Sequence, residues 1–538
     1  MQFAKLSNIT ANKSYFRLLV LVGVFGLAFF LRIYDLENFP SQINQDELSN
    51  IYDAYSIVET GADRWGIKNP VILRAFGEND YRPPLYTWLV AGSIKVFGYS
   101  VFAGRLPSVV LGMLSLILLY KTSKKIGGRI FSNLALLIAT LSPWHIIMSR
   151  LALEAASLSS FFIILTIYLW IKAKESNFNT LNLIYLSLCI GFATNAYQST
   201  KLIFFLIAIV IFIDLIKTSS GWLRKSSIFI FFIALGALPQ LYAAIAMPHF
   251  FFSRAADTIM PFSFSFKYLF DLLGNFYLNL SPQYLFSKIG NYNFLTVARL
   301  LSVEFSFFYL GLFLFYWKFK KNEKLNPIYI YLIIVISILP SALTYDNPNA
   351  LRASCNLILF PMISAGGILV IYEAIGNKML KIFLLGGISS LLFFNSMINV
   401  VKYTKSKELH GAGQQGILVE LSKRINLLKD KYSKIYIEDL GNQPYIYIAS
   451  YCDMNPKQFQ EAYKNIERSG WDHFVQLDKY FFLNKESILE TINENKDESL
   501  LILKLKDSNY NLVDSIEVHG ERLFFYSSIS ISDQRIQK

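Results

Sequence analysis

Long apolar runs dominate the first three quarters of the chain. They fall at roughly 15–33, 101–120, 130–148, 154–172, 181–195, 200–216, 226–246, 299–317, 327–343, 356–375 and 381–401, about eleven in all, each near the ~20 residues that cross hydrocarbon. The segments between them alternate in character. Those on one side are short and basic, while those on the other are longer and rich in aromatic and polar residues. The first of the long ones, about 33–99, exceeds a simple connector. Within it, Leu48, Ile51, Tyr52, Tyr55, Ile57 and Val58 follow helical spacing, which predicts a helix over 46–60 lying along the interface. The apolar stretch 85–97 is short for a span and is placed as a second interfacial helix. The segment 247–298 is rich in Phe and Tyr, as expected at headgroup level.

After Lys402 the pattern changes. Polar helical stretches (416–432 and 455–470) alternate with short apolar strands at 434–438, 480–483, 500–505 and 523–528. The expected architecture is therefore an all-α polytopic membrane domain over 1–402 and a small α/β domain over 403–538. No repeat of fixed period is seen.

Composition sharpens this picture. Charged residues make up 17% of the 538 residues, well below the ~25% of an average soluble domain, and the mean hydropathy is +0.38. The net charge of +13 does not imply nucleic acid, because it sits in short clusters between spans. Lys121, Lys124, Lys125 and Arg129, then Lys172 and Lys174, then Lys217, Arg224 and Lys225, then Lys318, Lys320, Lys321 and Lys324, and finally Lys378 and Lys381 all fall on the side of the N-terminus. The positive-inside rule makes that side cytoplasmic. An odd number of spans then puts the C-terminal domain outside, in a plasma (inner) membrane setting. The segment 15–31 is read as an uncleaved first span rather than a signal peptide, since no small-residue cleavage site follows it. The three cysteines (Cys189, Cys355 and Cys452) outline no disulfide framework.

Nearly all conspicuous polar residues of the membrane part gather on the outer side. Asp46 and Glu47 follow the first span. A carboxylate in low-dielectric surroundings can serve as general base, and the plain alternative is a cap on the helix that starts there. In Tyr81-Arg82-Pro83-Pro84, the prolines fix the backbone and present Arg82, whose fork matches phosphate oxygens; ordinary headgroup contact is the alternative. Arg105 suits capping or snorkelling. Arg150 and Glu154, at the turn between the third and fourth spans, are four apart and suit a helix pair. Thr344-Tyr345-Asp346-Asn347-Pro348 leads to Arg352 at the mouth of a span, a place for a phosphate ligand or a snorkelling arginine. His249, Arg254 and Asp257 form a weaker cluster in which His249 lacks a partner at metal-ligand spacing, and His145 is placed at the interface. Gly411-Ala412-Gly413 follows no strand and is no dinucleotide fingerprint.

These fragments together resemble a known class. A first span followed by an Asp-Glu pair, the segment Arg82-Pro83-Pro84-Leu85-Tyr86, Phe97-Gly98-Tyr99-Ser100 leading to Ala103-Gly104-Arg105-Leu106-Pro107-Ser108, and Ser149-Arg150 are similar to the GT-C glycosyltransferases that use polyprenyl-phosphate sugars. Protein O-mannosyltransferases and bacterial aminoarabinose transferases are the groups most alike. The likeness covers about 15–170 well and the rest of the membrane part more loosely. It implies a GT-C-like fold and transfer, with inversion, from a polyprenyl-phosphate-linked sugar donor to a lipid, glycan or protein acceptor on the outer face.

By motif, the resemblance makes Asp46 the general base and Glu47 its support. It makes Arg82 and Arg352 the basic residues near the donor phosphate. Tyr81, Arg150, Glu154, His249, Arg254 and Asp346 are candidates to line the site, and Glu154 stands where some relatives carry Asp. No cofactor is implied with conviction: metal dependence varies in the class, and no convincing ligand set is legible, which leaves a divalent ion open. Membrane lipid is the surrounding partner, and nothing speaks to oligomeric state. A glycan polymerase or ligase would carry its key residues in one late loop. A transporter or flippase, the remaining alternative, would place charge in the span interiors and show matched halves, whereas most span interiors here are free of charge and no halves match.

Overall fold

The computed structural model describes residues 2–40, 43–77, 80–287, 297–405, 415–441, 443–463, 468–469, 472–494, 498–518 and 520–530. Gly411-Ala412-Gly413 and parts of 247–298 and 455–470 lie outside them. Every predicted span is represented by helix, but the breaks differ. The predicted spans 101–120 and 130–148 lie in two helices that run together over Val101–Leu141 and meet at a kink at Gly128 (φ 78, ψ −166). The basic stretch 121–127 is thus wound into helix rather than loop. A positive φ costs glycine little, so the direction change concentrates there. Ser142 then caps a separate short helix, Pro143–Met148, which ends the third predicted span early. The predicted span 226–246 is likewise two helices, Trp222–Gly236 and Leu238–Ala246, bent by 69°, with Pro239 at the break removing a backbone donor.

Among the described residues, five helices are long and apolar enough to cross a bilayer, or six if the bent pair is one span. Others predicted as spans are shorter: Thr180–Ala193, Phe305–Phe319 and Ile328–Ala342 have 14, 15 and 15 residues. At 1.5 Å per residue they reach roughly 21–23 Å, less than the ~30 Å of hydrocarbon. Local chemistry sets such ends, as where Asn179 accepts from the Asn182 backbone N–H to start one of them.

The chain divides into two compact units. The first comprises 1–36, 105–238 and 258–403. Helices Phe305–Phe319 and Asn356–Ala374 pack closely there because Gly311 and Gly367 face each other's backbone, where any Cβ would collide with the carbonyls of Ile363 and Phe307. Small residues at such crossings are the usual means of close helix contact in lipid. Asp214, in the helix Gln198–Thr218, is buried and accepts from Trp170 Nε1, Lys174 Nζ and the Tyr329 hydroxyl at 2.8–2.9 Å, which compensates the cost of burying its charge. Phe262, Phe264, Phe266 and Phe270 are exposed, as the headgroup-level reading of that segment expects.

The second unit comprises 37–104, 239–257 and 404–538. The first long loop and the C-terminal segment therefore share one compact body. Its sheet has six strands in the spatial order Gln476–Leu477, Tyr480–Leu483, Lys434–Glu438, Ser499–Leu503, Glu521–Ser530 and Tyr510–Val518. The three strands around Lys434–Glu438 run parallel and the rest antiparallel. Strand Tyr510–Val518 and helices Pro444–Tyr451 and Lys485–Glu494 are additions to the sequence reading. Helices Gln45–Thr60 and Leu85–Phe97 stand at the positions the pattern gave them. Tyr52 donates to the Met454 carbonyl, Tyr447 to that of Ile43, and Gln460 to Ser56, Thr60 and Asp63. These bonds tie the first helix to the C-terminal segment.

Candidate active site

The helix that carries the acidic pair begins with Asn44, not with Asp46. The Asn44 side chain accepts from the Glu47 backbone N–H at 2.8 Å, and Gly61 closes the other end in the left-handed conformation (φ 71). The capping role open to Asp46 therefore falls to its neighbour two residues earlier. Asp46 sits exposed in the first turn, where the helix dipole favours a carboxylate, while Glu47 beside it is buried.

A buried ionic cluster fixes this turn from behind. Asp53 lies two turns along the same helix and is fully buried. Its Oδ2 accepts from Arg64 Nη1 at 2.6 Å and from Arg82 Nη2 at 2.9 Å, and Oδ1 accepts from the Arg64 N–H. Arg82 Nη1 donates to Ser49 Oγ at 2.9 Å, and Ser49 Oγ donates in turn to the Asp46 carbonyl. An unbroken chain thus runs from Asp53 through Arg82 and Ser49 to the backbone of Asp46. Arg64 also stacks over Trp65 and Phe76, and donates to the carbonyls of Ser49 and Ala75. Arg74 pairs with Asp472, whose other oxygen accepts from the Gly77 N–H.

Asp63 lies beside this cluster. Its Oδ1 accepts from the N–H groups of Trp65 and Ile67, and its Oδ2 is buried without a hydrogen-bond partner among the described residues. Burial, and next the Asp53 carboxylate, push its pKa up to about 7. A carboxyl raised in this way holds its proton more tightly folded than unfolded. Stability contributed at low pH is then lost as pH rises from about 4 towards 7, by at most about 1.4 kcal/mol per pH unit. Asp63→Asn should flatten that slope between about pH 4 and 7 in melting-temperature profiles; a profile parallel to wild type would rule it out.

The other sequence candidates fall as follows. Arg82 is buried against Asp53 and Ser49, where the sequence suggested presentation before an apolar helix. Tyr81 packs with Ile72, Ala243, Met247 and Phe251. Arg254 pairs with Asp80 at 3.0 Å, and His249 is exposed. In the first unit, Arg150 is buried and donates to the carbonyls of Leu31, Tyr34 and Asp35, closing the C-terminal end of the first helix. Arg105 is buried, not snorkelling, and donates to the Leu36 carbonyl. His145 is buried too, with Nδ1 2.9 Å from Arg32 Nη2. Glu154 starts the helix Glu154–Glu175. Arg352 Nη1 donates to Thr344 Oγ1 at 2.8 Å and to the Asp346 carbonyl, and lies 3.7 Å from the Asp346 carboxylate. Among the described residues no group of three or more His, Cys, Asp or Glu could hold a metal ion.

Sequence reasoning missed Asp53, Arg64, Asp63, Arg74 and Asp472. A signal existed for the first: Asp46, Ser49 and Asp53 are spaced i, i+3, i+7, a polar stripe on one helix face.

Residues 81–243 match the family described as dolichyl-phosphate-mannose-protein mannosyltransferase. ArnT from Cupriavidus metallidurans, solved with undecaprenyl phosphate, has the same fold: TM-score 0.53 at 11% identity, over 95% of this chain and 98% of that one. Its apo form gives TM-score 0.55 at 10% identity, over 96% and 98%. The chain has the fold of these glycosyltransferases. The oligosaccharyltransferase of Archaeoglobus fulgidus in its apo form is similar at TM-score 0.51 and 11% identity, over 91% of this chain and 70% of that one. No curated protein matches in sequence. The many apolar helices are those of a multi-pass membrane protein, and the exposed Asp46 belongs to its first long loop.

Proposed function

We propose that this enzyme transfers a sugar from a polyprenyl-phosphate donor to an acceptor hydroxyl or amine on the outer face of a plasma (inner) membrane, with Asp46 as general base. One observation carries the reading: an exposed carboxylate stands in a helical first turn that is capped by another residue and braced by a buried ionic chain. The donor class is supported by a relative of the same fold solved with undecaprenyl phosphate. The topology, with the N-terminus cytoplasmic and both 33–99 and 403–538 outside, rests on the distribution of lysine and arginine.

In the proposed reaction the acceptor O–H or N–H gives its proton to Asp46 as its heteroatom bonds to the anomeric carbon. The bond from that carbon to phosphate oxygen breaks on the opposite side. Polyprenyl phosphate leaves, and the configuration inverts. Charge building on the leaving phosphate calls for a cation, and Arg352 is the residue we assign to it, since its contacts with Thr344 and Asp346 all use one end of the fork. Arg82 is assigned a positioning role through Ser49. The domain of 403–538 is assigned to the outer face together with the first loop.

The reading is tested by supplying membranes that contain the enzyme with radiolabelled polyprenyl-phosphate sugars and following label into lipid, glycan and protein. Label transfer above control membranes is expected, and none with any such donor would contradict it. Arg352→Ala should weaken donor binding about ten- to a hundredfold, the effect of losing a hydrogen bond to a charged group (about 1.5–3 kcal/mol). Unchanged donor affinity in titration would remove Arg352 from the phosphate.

A further inference from the structure

The second unit contains a cavity of about 330 Å³, and the transfer chemistry gives it no role. It opens at the carboxyl end of the parallel strand Lys434–Glu438, the position where open α/β sheets bind ligands. Asp439, Gln443, Tyr445, Asp472, Phe474 and Phe482 line it. Its size is at the lower end of the ~300–1,000 Å³ typical of small-molecule sites. We propose that this cavity binds one neutral hexose unit of an envelope glycan.

Three features carry the assignment. The walls are aromatic: the rings of Tyr445 and Phe474 meet edge to face with centroids 4.1 Å apart, and Phe482 adds a further apolar surface. Such walls suit the C–H face of a pyranose. The polar groups suit its hydroxyls. Asp439 is exposed at the rim, and among the described residues only its Oδ1 is engaged, by the Gly441 N–H. The Tyr445 hydroxyl is buried without a hydrogen-bond partner among the described residues, a state that costs roughly 1–3 kcal/mol until a partner arrives. Gln443 is held at φ 49, ψ 61, a conformation non-glycine residues adopt at a cost and that clusters at ligand sites.

Charge decides between ligand classes. Arg74 neutralises Asp472, and Lys504 Nζ donates to the Asp439 carbonyl. With these cations beside the two carboxylates, no net field is left to hold a cationic peptide or a phosphate, whereas a neutral polyol needs none. Binding requires no donor and no Asp46, so the inference stands apart from the proposed reaction.

The test is saturation-transfer NMR on the full chain in lipid nanodiscs free of glycosidic detergent. The probes are methyl α-glucopyranoside, methyl α-mannopyranoside, trilysine and inorganic phosphate. Saturation of pyranoside ring protons is expected, with affinity about tenfold lower in Tyr445→Phe and in Asp439→Asn and unchanged in Asp46→Asn. Tyr445→Phe keeps the ring packing, and Asp439→Asn keeps the acceptor for Gly441, so both variants should fold. Four results would each overturn the proposal: no pyranoside saturation, wild-type affinity in both pocket variants, loss in Asp46→Asn, or saturation of trilysine or phosphate alone.

Discussion

Asp53→Ala is expected to destabilise the second unit by about 3–5 kcal/mol, the cost of removing one partner of a buried ionic cluster. Two guanidiniums, those of Arg64 and Arg82, converge on one Asp53 oxygen out of contact with solvent. Without the carboxylate both stay buried and positive, facing each other. The Arg64 bonds to the Ser49 and Ala75 carbonyls cannot absorb that repulsion. Asp53→Asn should follow closely, since it keeps the volume and loses the charge. Denaturant melts and limited proteolysis within 37–104 are the readouts. Activity should fall as well, because the chain through Arg82 and Ser49 fixes the backbone of Asp46. If Asp53→Ala melts with wild type, the cluster does not brace the loop.

Asp46→Asn is expected to have the opposite profile. General-base catalysis contributes about 10²–10⁴ in rate, so kcat should fall by that factor, about 2.7–5.5 kcal/mol of barrier. Stability should hardly change, since the side chain is exposed and Asn44 makes the cap. By contrast, Asn44→Ala removes the cap at a cost of about 1 kcal/mol. A variant that loses stability in proportion to activity would mark Asp46 as structural. Donor affinity should survive, because in the proposed reaction the proton passes to Asp46 only during transfer.

Local patterns in the sequence carry most of the fold. Strands Lys434–Glu438 and Tyr480–Leu483 coincide with their predicted limits, because short apolar runs between polar helices leave little choice of register. Helix 46–60 is likewise legible from its apolar spacing. Where one span ends and the next begins is less so. Hydropathy alone does not reveal that the second and third spans meet at a kink at Gly128 with helix on both sides, or that Ser142 starts a new helix, since both depend on backbone geometry and capping rather than on mean apolarity. The site divides in the same way. The acidic pair is conspicuous because it follows a span, and Asp53 could have been found from its stripe with Asp46 and Ser49. Arg74 and Asp472 lie almost four hundred positions apart, so their pairing leaves no local signal. Arg82 was singled out for its guanidinium beside two prolines. Its burial against Asp53 follows from the short strand pair that sets Leu73 opposite it, a contact no periodicity announces.

The most direct measurement is single-turnover release of polyprenyl phosphate from enzyme preloaded with radiolabelled donor, on mixing with acceptor, in wild type and Asp46→Asn side by side. The account predicts that both bind donor equally, while the variant releases lipid phosphate at least a hundredfold more slowly, within the range a lost general base allows. Release at the wild-type rate by Asp46→Asn would contradict it.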